Sequence, residues 1–175
     1  DRLWFKGPLG QGFEIEGERI ILVAGGYGAA PLYPLAQTAK SQGSEVFVCL
    51  GARSAENILL KDAFEGLGCH VMAATEDGSL GISGLVTEVV AQVLKEENID
   101  ALYGCGPVGL LVNLATMCRE RKLDYQLSWE AKMRCGMGLC GSCEVPVSLD
   151  PSLPVGWLAC YDGPVFIKRW KPPVR

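Results

Sequence analysis

Four cysteines in the C-terminal quarter of this chain constrain its fold more than any other feature. Their spacing is C-x4-C-x2-C, with a fourth cysteine after sixteen intervening residues, and the four are Cys135, Cys140, Cys143 and Cys160. A loop of this spacing directs three thiolates inward while a distant cysteine completes the set, as in plant-type [2Fe–2S] centres. Glycines between the cysteines permit positive φ angles and let backbone N–H groups approach the cluster sulfurs. The spacing therefore predicts an iron–sulfur cluster and a protein that carries electrons.

Zinc is the main alternative occupant of this loop. A C-x2-C pair with two further thiolates would also build a tetrahedral four-thiolate site. Structural zinc sites more often use two separated C-x2-C pairs, however, so the continuous loop favours iron and sulfide. A disulfide framework fits less well, because three of the other cysteines lie on apolar faces and are predicted to fill the core: Cys49, Cys69 and Cys118.

The composition is that of a folded domain with an appended module. The chain has 175 residues, of which 49% are hydrophobic and 21% are charged. Its formal net charge of −4 and the lack of a basic stripe argue against a nucleic-acid partner. Because no apolar run reaches the ~18 residues of a membrane span and no signal peptide opens the sequence, we expect a cytoplasmic protein with no membrane partner. The single histidine, His70, lies in an apolar run and is expected to be a partly buried structural residue.

Short apolar runs alternate with segments of helical periodicity along the first three quarters of the chain. Strands are predicted at 20–24, 45–50, 69–74, 100–103 and 123–129, and helices at 31–42, from an N-cap at Ser54 to Leu67, at 84–96 and after Pro107. This alternation predicts an α/β fold with a doubly wound parallel sheet. We divide the chain into a linker at 1–19, a nucleotide-binding domain at 20–129 and a small C-terminal iron–sulfur module at 130–175. That module has few large apolar residues, so a bound metal group is expected to complete its fold.

A glycine-rich turn follows the first predicted strand. The pattern Gly26-x-Gly28-x-x-Pro31 opens a helix, which is the context in which backbone N–H groups bind a pyrophosphate. Two later loops, 75–81 and 104–108, also leave the carboxyl ends of strands, where ligands bind in open α/β sheets. Cys105 lies in one of these loops between two glycines, so we expect it to contact a ligand.

Together these pieces resemble the ferredoxin–NADP reductase superfamily, and within it most closely the electron-transfer subunits of dihydroorotate dehydrogenase. The resemblance spans nearly the whole chain and is carried by residues 7–13, 25–32, 75–79, 105–107, 130, 133, the cysteine loop and 162–166. It implies a ferredoxin reductase-like NAD-binding domain in which Cys105 lies close to the nicotinamide ring. The predicted cofactor-binding residues are Gly25, Gly26, Gly28, Pro31, Arg53, Asp77, Cys105, Gly106 and Pro107.

The resemblance also implies a function. NADH and FAD would exchange a hydride, and the cluster would exchange single electrons with the flavin. In the family, an FMN-containing catalytic subunit oxidises dihydroorotate, net electron flow runs to NAD+, and the reaction serves pyrimidine biosynthesis. A hetero-oligomer with that subunit is therefore expected, and the tail at 170–175 is a candidate contact with it. The family's N-terminal FAD-binding β-barrel has no counterpart in this sequence, so FAD is expected in the complete protein.

Three questions stay open at the level of sequence. The flavin and iron–sulfur subunits of anaerobic sulfite reductases and soluble hydrogenases share the cysteine loop, so the redox partner is not decided. A zinc-stabilised nucleotide-binding module without redox activity is an alternative of another class. Arg53 follows the second predicted strand and would meet the 2′-phosphate of NADP, cap the next helix or remain solvated, while no acidic residue ends that strand to bind a ribose 2′-hydroxyl. We choose NAD because the family does.

Overall fold

The computed structural model describes residues 2–3 and 7–170, and these residues form seven strands and four α-helices. The strands are β1 (Arg19–Gly25), β2 (Glu45–Ala52), β3 (His70–Thr75), β4 (Ile82–Ser83), β5 (Ala101–Cys105), β6 (Asp124–Ser128) and β7 (Val165–Lys168). The helices are α1 (Ala29–Ser41), α2 (Lys61–Gly66), α3 (Val86–Glu96) and α4 (Val108–Arg121). None of the described helices is long and apolar enough to cross a membrane.

All seven strands belong to one sheet in the order β4-β3-β2-β1-β5-β6-β7. The first six are parallel, and β7 pairs antiparallel with β6. The chain moves outward from β1 through β2, β3 and β4 and then returns to the other side of β1 with β5. This reversal places a topological switch point at the carboxyl ends of β1 and β5, where open sheets of this kind bind their ligands.

Helices cover both faces of the sheet, which explains why β1 is apolar from Ile20 to Ala24. Ile20 and Leu22 pack under α1 and α2, whereas Ile21 and Val23 face α3 and α4. All four are fully buried. A parallel strand covered on both faces has no solvent side, so its sequence is a continuous apolar run rather than an alternating one. The predicted doubly wound fold is confirmed.

Two local predictions are wrong. No helix starts at Ser54: a single 3-10 turn spans Ala55–Asn57, and α2 begins only at Lys61 because Leu60 adopts a left-handed conformation with φ 60°. His70 is exposed rather than partly buried, with 59% of its side chain accessible. It is the first residue of β3, and its ring stacks on Phe47 with a centroid separation of 4.9 Å.

The C-terminal segment adds a strand that the sequence does not predict. Residues 165–168 return to the sheet after the cysteine loop and pair with β6. Before them, the module packs on the same side as α4 through buried aromatic residues, among them Trp129 and Trp157. Beyond Trp170, whose backbone N–H donates to Asp124 at 2.7 Å, the predicted partner-binding tail lies outside the described residues.

Candidate functional site

A cleft of about 780 Å³ opens at the carboxyl ends of β1, β2, β3 and β5. Four of the predicted cofactor-binding residues line it, namely Gly25, Gly26, Arg53 and Pro107. The helix that follows the glycine turn, α1, has no acidic residue in its first turn and no side chain that caps its amino end. Its first N–H groups and its dipole therefore favour an anion, as the predicted pyrophosphate turn requires.

Other predicted glycines lie behind the cleft and pack against one another. A Cβ atom built on Gly28 would overlap the carbonyl oxygen of Cys105, and one on Gly106 would come within 2.9 Å of the Gly25 Cα. The turns that follow β1 and β5 therefore touch backbone to backbone. Glycine at Gly28 and Gly106 sets how closely these two turns approach, and Pro31, an exposed residue in the first turn of α1, completes the predicted turn.

The loop after β3 braces the turn after β2. The Asp77 carboxylate accepts hydrogen bonds from the backbone N–H and the hydroxyl of Ser79, at 3.0 and 2.6 Å. The Ser79 hydroxyl in turn accepts a hydrogen bond from the Ala55 N–H at 2.8 Å. These bonds from Ser79 lower the pKa of Asp77, so its carboxylate is ionised at neutral pH. Within the described residues Asp77 is not part of the cleft wall, and its predicted contact with a cofactor remains a prediction.

Cys105 ends β5 opposite Ser128, its register partner on β6. Burial raises the pKa of its thiol, the Ser128 side chain hydrogen-bonds to it, and the nearby Glu130 carboxylate raises its pKa further. The thiol is therefore neutral at pH 7. It lies half-buried beside the turn of the cleft, at the switch point of the sheet.

Several polar residues of the cleft wall are absent from the sequence prediction. They are Glu56, Asn57, Thr87 and Asn113, whereas Glu76 lies in the loop 75–81 that was predicted to meet a ligand. Asn113 lies one helical turn after Gly109, on the same face of α4, and both line the cleft although the sequence prediction named neither. Glu56 was not accessible to sequence reasoning, because it lies four residues beyond the end of β2 in a segment predicted to be helical.

The four cysteines of the C-terminal module lie together as two pairs. The Cys135 side chain hydrogen-bonds with that of Cys140, and the Cys160 side chain with that of Cys143. Cys143 and Cys160 are buried, whereas Cys140 is exposed. Within the described part of the chain, no three histidine, cysteine or acidic side chains converge on a point where they would hold a single metal ion. The two pairs are neighbours, because Cys160 also interacts with Cys135, so four soft sulfur donors lie in one module.

The backbone of the loop is arranged for anionic sulfur. Glycines 136, 138 and 141 have φ angles of 66°, 75° and 67°, which turn N–H groups inward. The Met137 N–H lies 3.5 Å from the Cys135 sulfur, and the Gly138 N–H lies 3.3 Å from the Cys160 sulfur. The N–H groups of Met137, Leu139 and Cys140 lower the pKa of Cys135 to about 6. Four soft donors with inward N–H groups fit an iron–sulfur cluster.

Comparison with known protein families agrees with both halves of this site. Residues 22–115, more than half of the chain, match the oxidoreductase NAD-binding domain. The chain belongs to this family. Residues 130–169 match the iron–sulfur cluster binding domain of dihydroorotate dehydrogenase B. This NAD-binding oxidoreductase chain therefore also carries an iron–sulfur binding domain, and the predicted resemblance is confirmed.

Curated relatives are named as electron transfer subunits of dihydroorotate dehydrogenase B (NAD(+)). The one from Caldanaerobacter subterraneus subsp. tengcongensis is 42% identical over 95% of this chain and 64% of its own length. The one from Methanopyrus kandleri, named as probable, is 40% identical over 95% of this chain and 60% of its own length. The chain thus spans less than two thirds of the length of these relatives.

Solved structures show the same fold. An NADH-dependent reduced ferredoxin–NADP oxidoreductase superimposes with a TM-score of 0.76 at 34% identity, covering 92% of this chain and 56% of its own. The C-terminal domain of a hydrogenase from Pyrococcus furiosus superimposes with a TM-score of 0.58 at 19% identity, covering 69% of this chain and 98% of its own, which shows the fold alone.

Proposed function

We propose that this chain is the NAD-binding and cluster-binding part of an electron-transfer subunit that links a dihydroorotate-oxidising FMN subunit to NAD. The observation that carries the proposal is the presence, in one chain, of a nucleotide cleft at the switch point and of two thiol pairs in the adjoining module. When bound, FAD exchanges a hydride with the nicotinamide, and a [2Fe–2S] cluster carries single electrons.

In this proposal the protein's own residues bind the cofactors and orient them. The turn Gly25–Gly28 and the amino end of α1 hold the pyrophosphate, and the neutral Cys105 packs near the nicotinamide. Cys135, Cys140, Cys143 and Cys160 would together hold a [2Fe–2S] cluster, which would supply single-electron transfer.

The surface around the cysteine loop supports a protein partner. Leu139, Tyr161 and Met137 expose 79%, 67% and 50% of their areas, next to the exposed Cys140. Contiguous exposed apolar residues beside a redox centre favour docking of another chain. We propose that the FMN subunit binds there, in a hetero-oligomer. The four cysteines outside this module, Cys49, Cys69, Cys105 and Cys118, form no disulfide, which fits a reducing compartment, and we place the complex in the cytoplasm.

The test uses the chain purified without air together with the dihydroorotate-oxidising subunit of the same organism. We expect two irons and two acid-labile sulfides per chain, and dihydroorotate should bleach the visible absorption only when that subunit is present. Cys140→Ser should remove the absorption, whereas Cys118→Ser, a buried core cysteine, should retain it.

Two results would contradict the proposal in different ways. One zinc per chain without sulfide would leave a nucleotide-binding module with no redox role. An intact cluster that dihydroorotate never bleaches, but that a sulfite-reducing or hydrogen-oxidising partner does, would assign the chain to another redox system.

A further inference from the structure

The charges of the nucleotide cleft are unevenly placed. Among the described residues, three charged side chains line the cleft and give its wall a formal charge of −1. They are Arg53, Glu56 and Glu76. All three follow the carboxyl ends of β2 and β3, and the glycine turn after β1 carries no charge. The end of the cleft beyond β2 is therefore acidic, although it contains an arginine.

The sheet register shows which part of a dinucleotide would meet these charges. Gly25, at the start of the glycine turn, is the register partner of Gly51 on β2. Neighbouring strands lie about 4.8 Å apart, so the segment after β2 is the first one beside a pyrophosphate held at the turn. In doubly wound folds this segment meets the adenosine ribose. Glu56 lies on it, whereas Glu76 follows β3, one strand further out.

The turn that carries Glu56 is held in place from two sides. Within the turn, the Asn57 N–H donates to the Ser54 carbonyl at 3.0 Å, and the Ser54 hydroxyl bonds the Asn57 side chain at 2.9 Å. From outside, Ser79 accepts the Ala55 N–H. Two further backbone bonds, from the Glu76 N–H to the Ala52 carbonyl and from the Asp77 N–H to the Arg53 carbonyl, are both 3.1 Å long. The carboxylate of Glu56 is thus presented by a braced turn.

From this arrangement we infer that Glu56 makes the cleft select NAD(H) over NADP(H). The inference deepens the proposed function and rests on the nucleotide site it assigns. A carboxylate accepts hydrogen bonds from a ribose 2′-hydroxyl, whereas it repels a 2′-phosphate. Arg53 attracts that phosphate, but Glu56 and Glu76 together outweigh its single charge. Asp77 and Ser79 act as positioning residues, because they hold the turn without lining the cleft.

The test compares the binding of NAD+ and NADP+ to the full chain by titration calorimetry, which needs neither flavin nor turnover. The unaltered chain should bind NAD+ about tenfold or more tightly than NADP+, as expected for one close like-charge contact. Glu56→Gln should reduce this ratio to below about threefold, mainly by improving NADP+ binding. Adding Arg53→Ala to the Glu56→Gln variant should remove the improvement in NADP+ binding, because Arg53 is the residue that would attract the 2′-phosphate.

Glu120→Gln is the matched control. It removes the same charge from an exposed position near the far end of α4 and should leave the ratio unchanged. An unaltered ratio in Glu56→Gln, or an equal loss of both nucleotides, would overturn the inference while leaving the nucleotide site intact. If the unaltered chain bound neither nucleotide, the proposed site itself would fall, and the inference with it.

Discussion

At the scale of single residues, the glycine turn shows how one sequence signal serves two purposes. Gly26, with φ 53°, needs its conformational freedom and lines the cleft. Gly28 has ordinary helical angles, φ −59° and ψ −14°, so conformation does not explain it. Its Cα faces the Cys105 carbonyl, where any side chain would overlap the backbone. The second glycine of the motif therefore joins two turns of the sheet.

This contact predicts the effect of Gly28→Ala. The added methyl group must push the Cys105 turn away, which we expect to cost about 1–3 kcal/mol of unfolding free energy and to weaken NAD+ binding. Urea unfolding and calorimetry measure the two effects. Gly66→Ala is the control, because a Cβ there meets nothing within 4 Å. If Gly28→Ala unfolded like the unaltered chain, the turns would not be in the contact described.

At the scale of elements, the sequence predicted the strands that have a local apolar pattern. It missed features that depend on contacts with residues far along the chain. The four neighbouring strands β1, β2, β3 and β5 are each largely an apolar run bounded by polar or glycine residues, so they were found to within about two residues. The strand β7 was missed because its pairing with β6 spans the whole cysteine module. Glu56 was missed for a related reason, since its place in the cleft depends on hydrogen bonds to a loop more than twenty residues later.

A buried carboxylate joins the cysteine module to the sheet. Asp150 is fully buried and accepts hydrogen bonds from the Tyr125 hydroxyl of β6 at 2.6 Å, from Arg119 of α4 at 2.7 Å and from the Ser152 N–H at 2.9 Å. Each of these hydrogen bonds is charge-assisted or short. Such bonds make a buried carboxylate charge tolerable.

Asp150→Ala should therefore destabilise the chain. It leaves the Tyr125 hydroxyl and the Arg119 guanidinium without their acceptor, and we expect a loss of about 2–4 kcal/mol. The loss should appear in urea unfolding and, in the cluster-loaded protein, as faster fading of the visible absorption. Asp62→Ala, on the exposed face of α2, should do neither. Unchanged stability in Asp150→Ala would mean that the module is held by its apolar contacts alone.

At the scale of the whole molecule, the segment before β1 ties the sheet to the end of the chain. Gln126 exchanges two hydrogen bonds with the backbone of Glu14, at 2.8 and 2.6 Å. Arg169, just after β7, forms ion pairs with the carboxylates of Glu14 and Glu16. These bonds join the N-terminal segment, β6 and the last described residues, although they are far apart in sequence.

The hydroxyl of Tyr103, on β5, bonds the same N-terminal segment and provides a test of this connection. It is fully buried, accepts the Glu16 N–H at 2.7 Å and donates to the Glu14 carbonyl at 3.0 Å. Burial raises the pKa of Tyr103 to about 12, so the hydroxyl keeps its proton at neutral pH. Tyr103→Phe leaves both backbone groups without this partner, and we expect a loss of about 1–3 kcal/mol in urea unfolding.

The same substitution should also loosen the N-terminal segment, so the amide of Glu16 should exchange with solvent sooner than that of the unaltered chain. Tyr33→Phe is the matched control, because within the described residues the Tyr33 hydroxyl makes no hydrogen bond and its ring packs against Phe64. Equal stability and equal exchange in the two variants would show that the segment is held by its ion pairs instead. A loss confined to Tyr103→Phe would show that this hydroxyl helps to hold the segment on the sheet, in addition to the Gln126 hydrogen bonds and the Arg169 ion pairs.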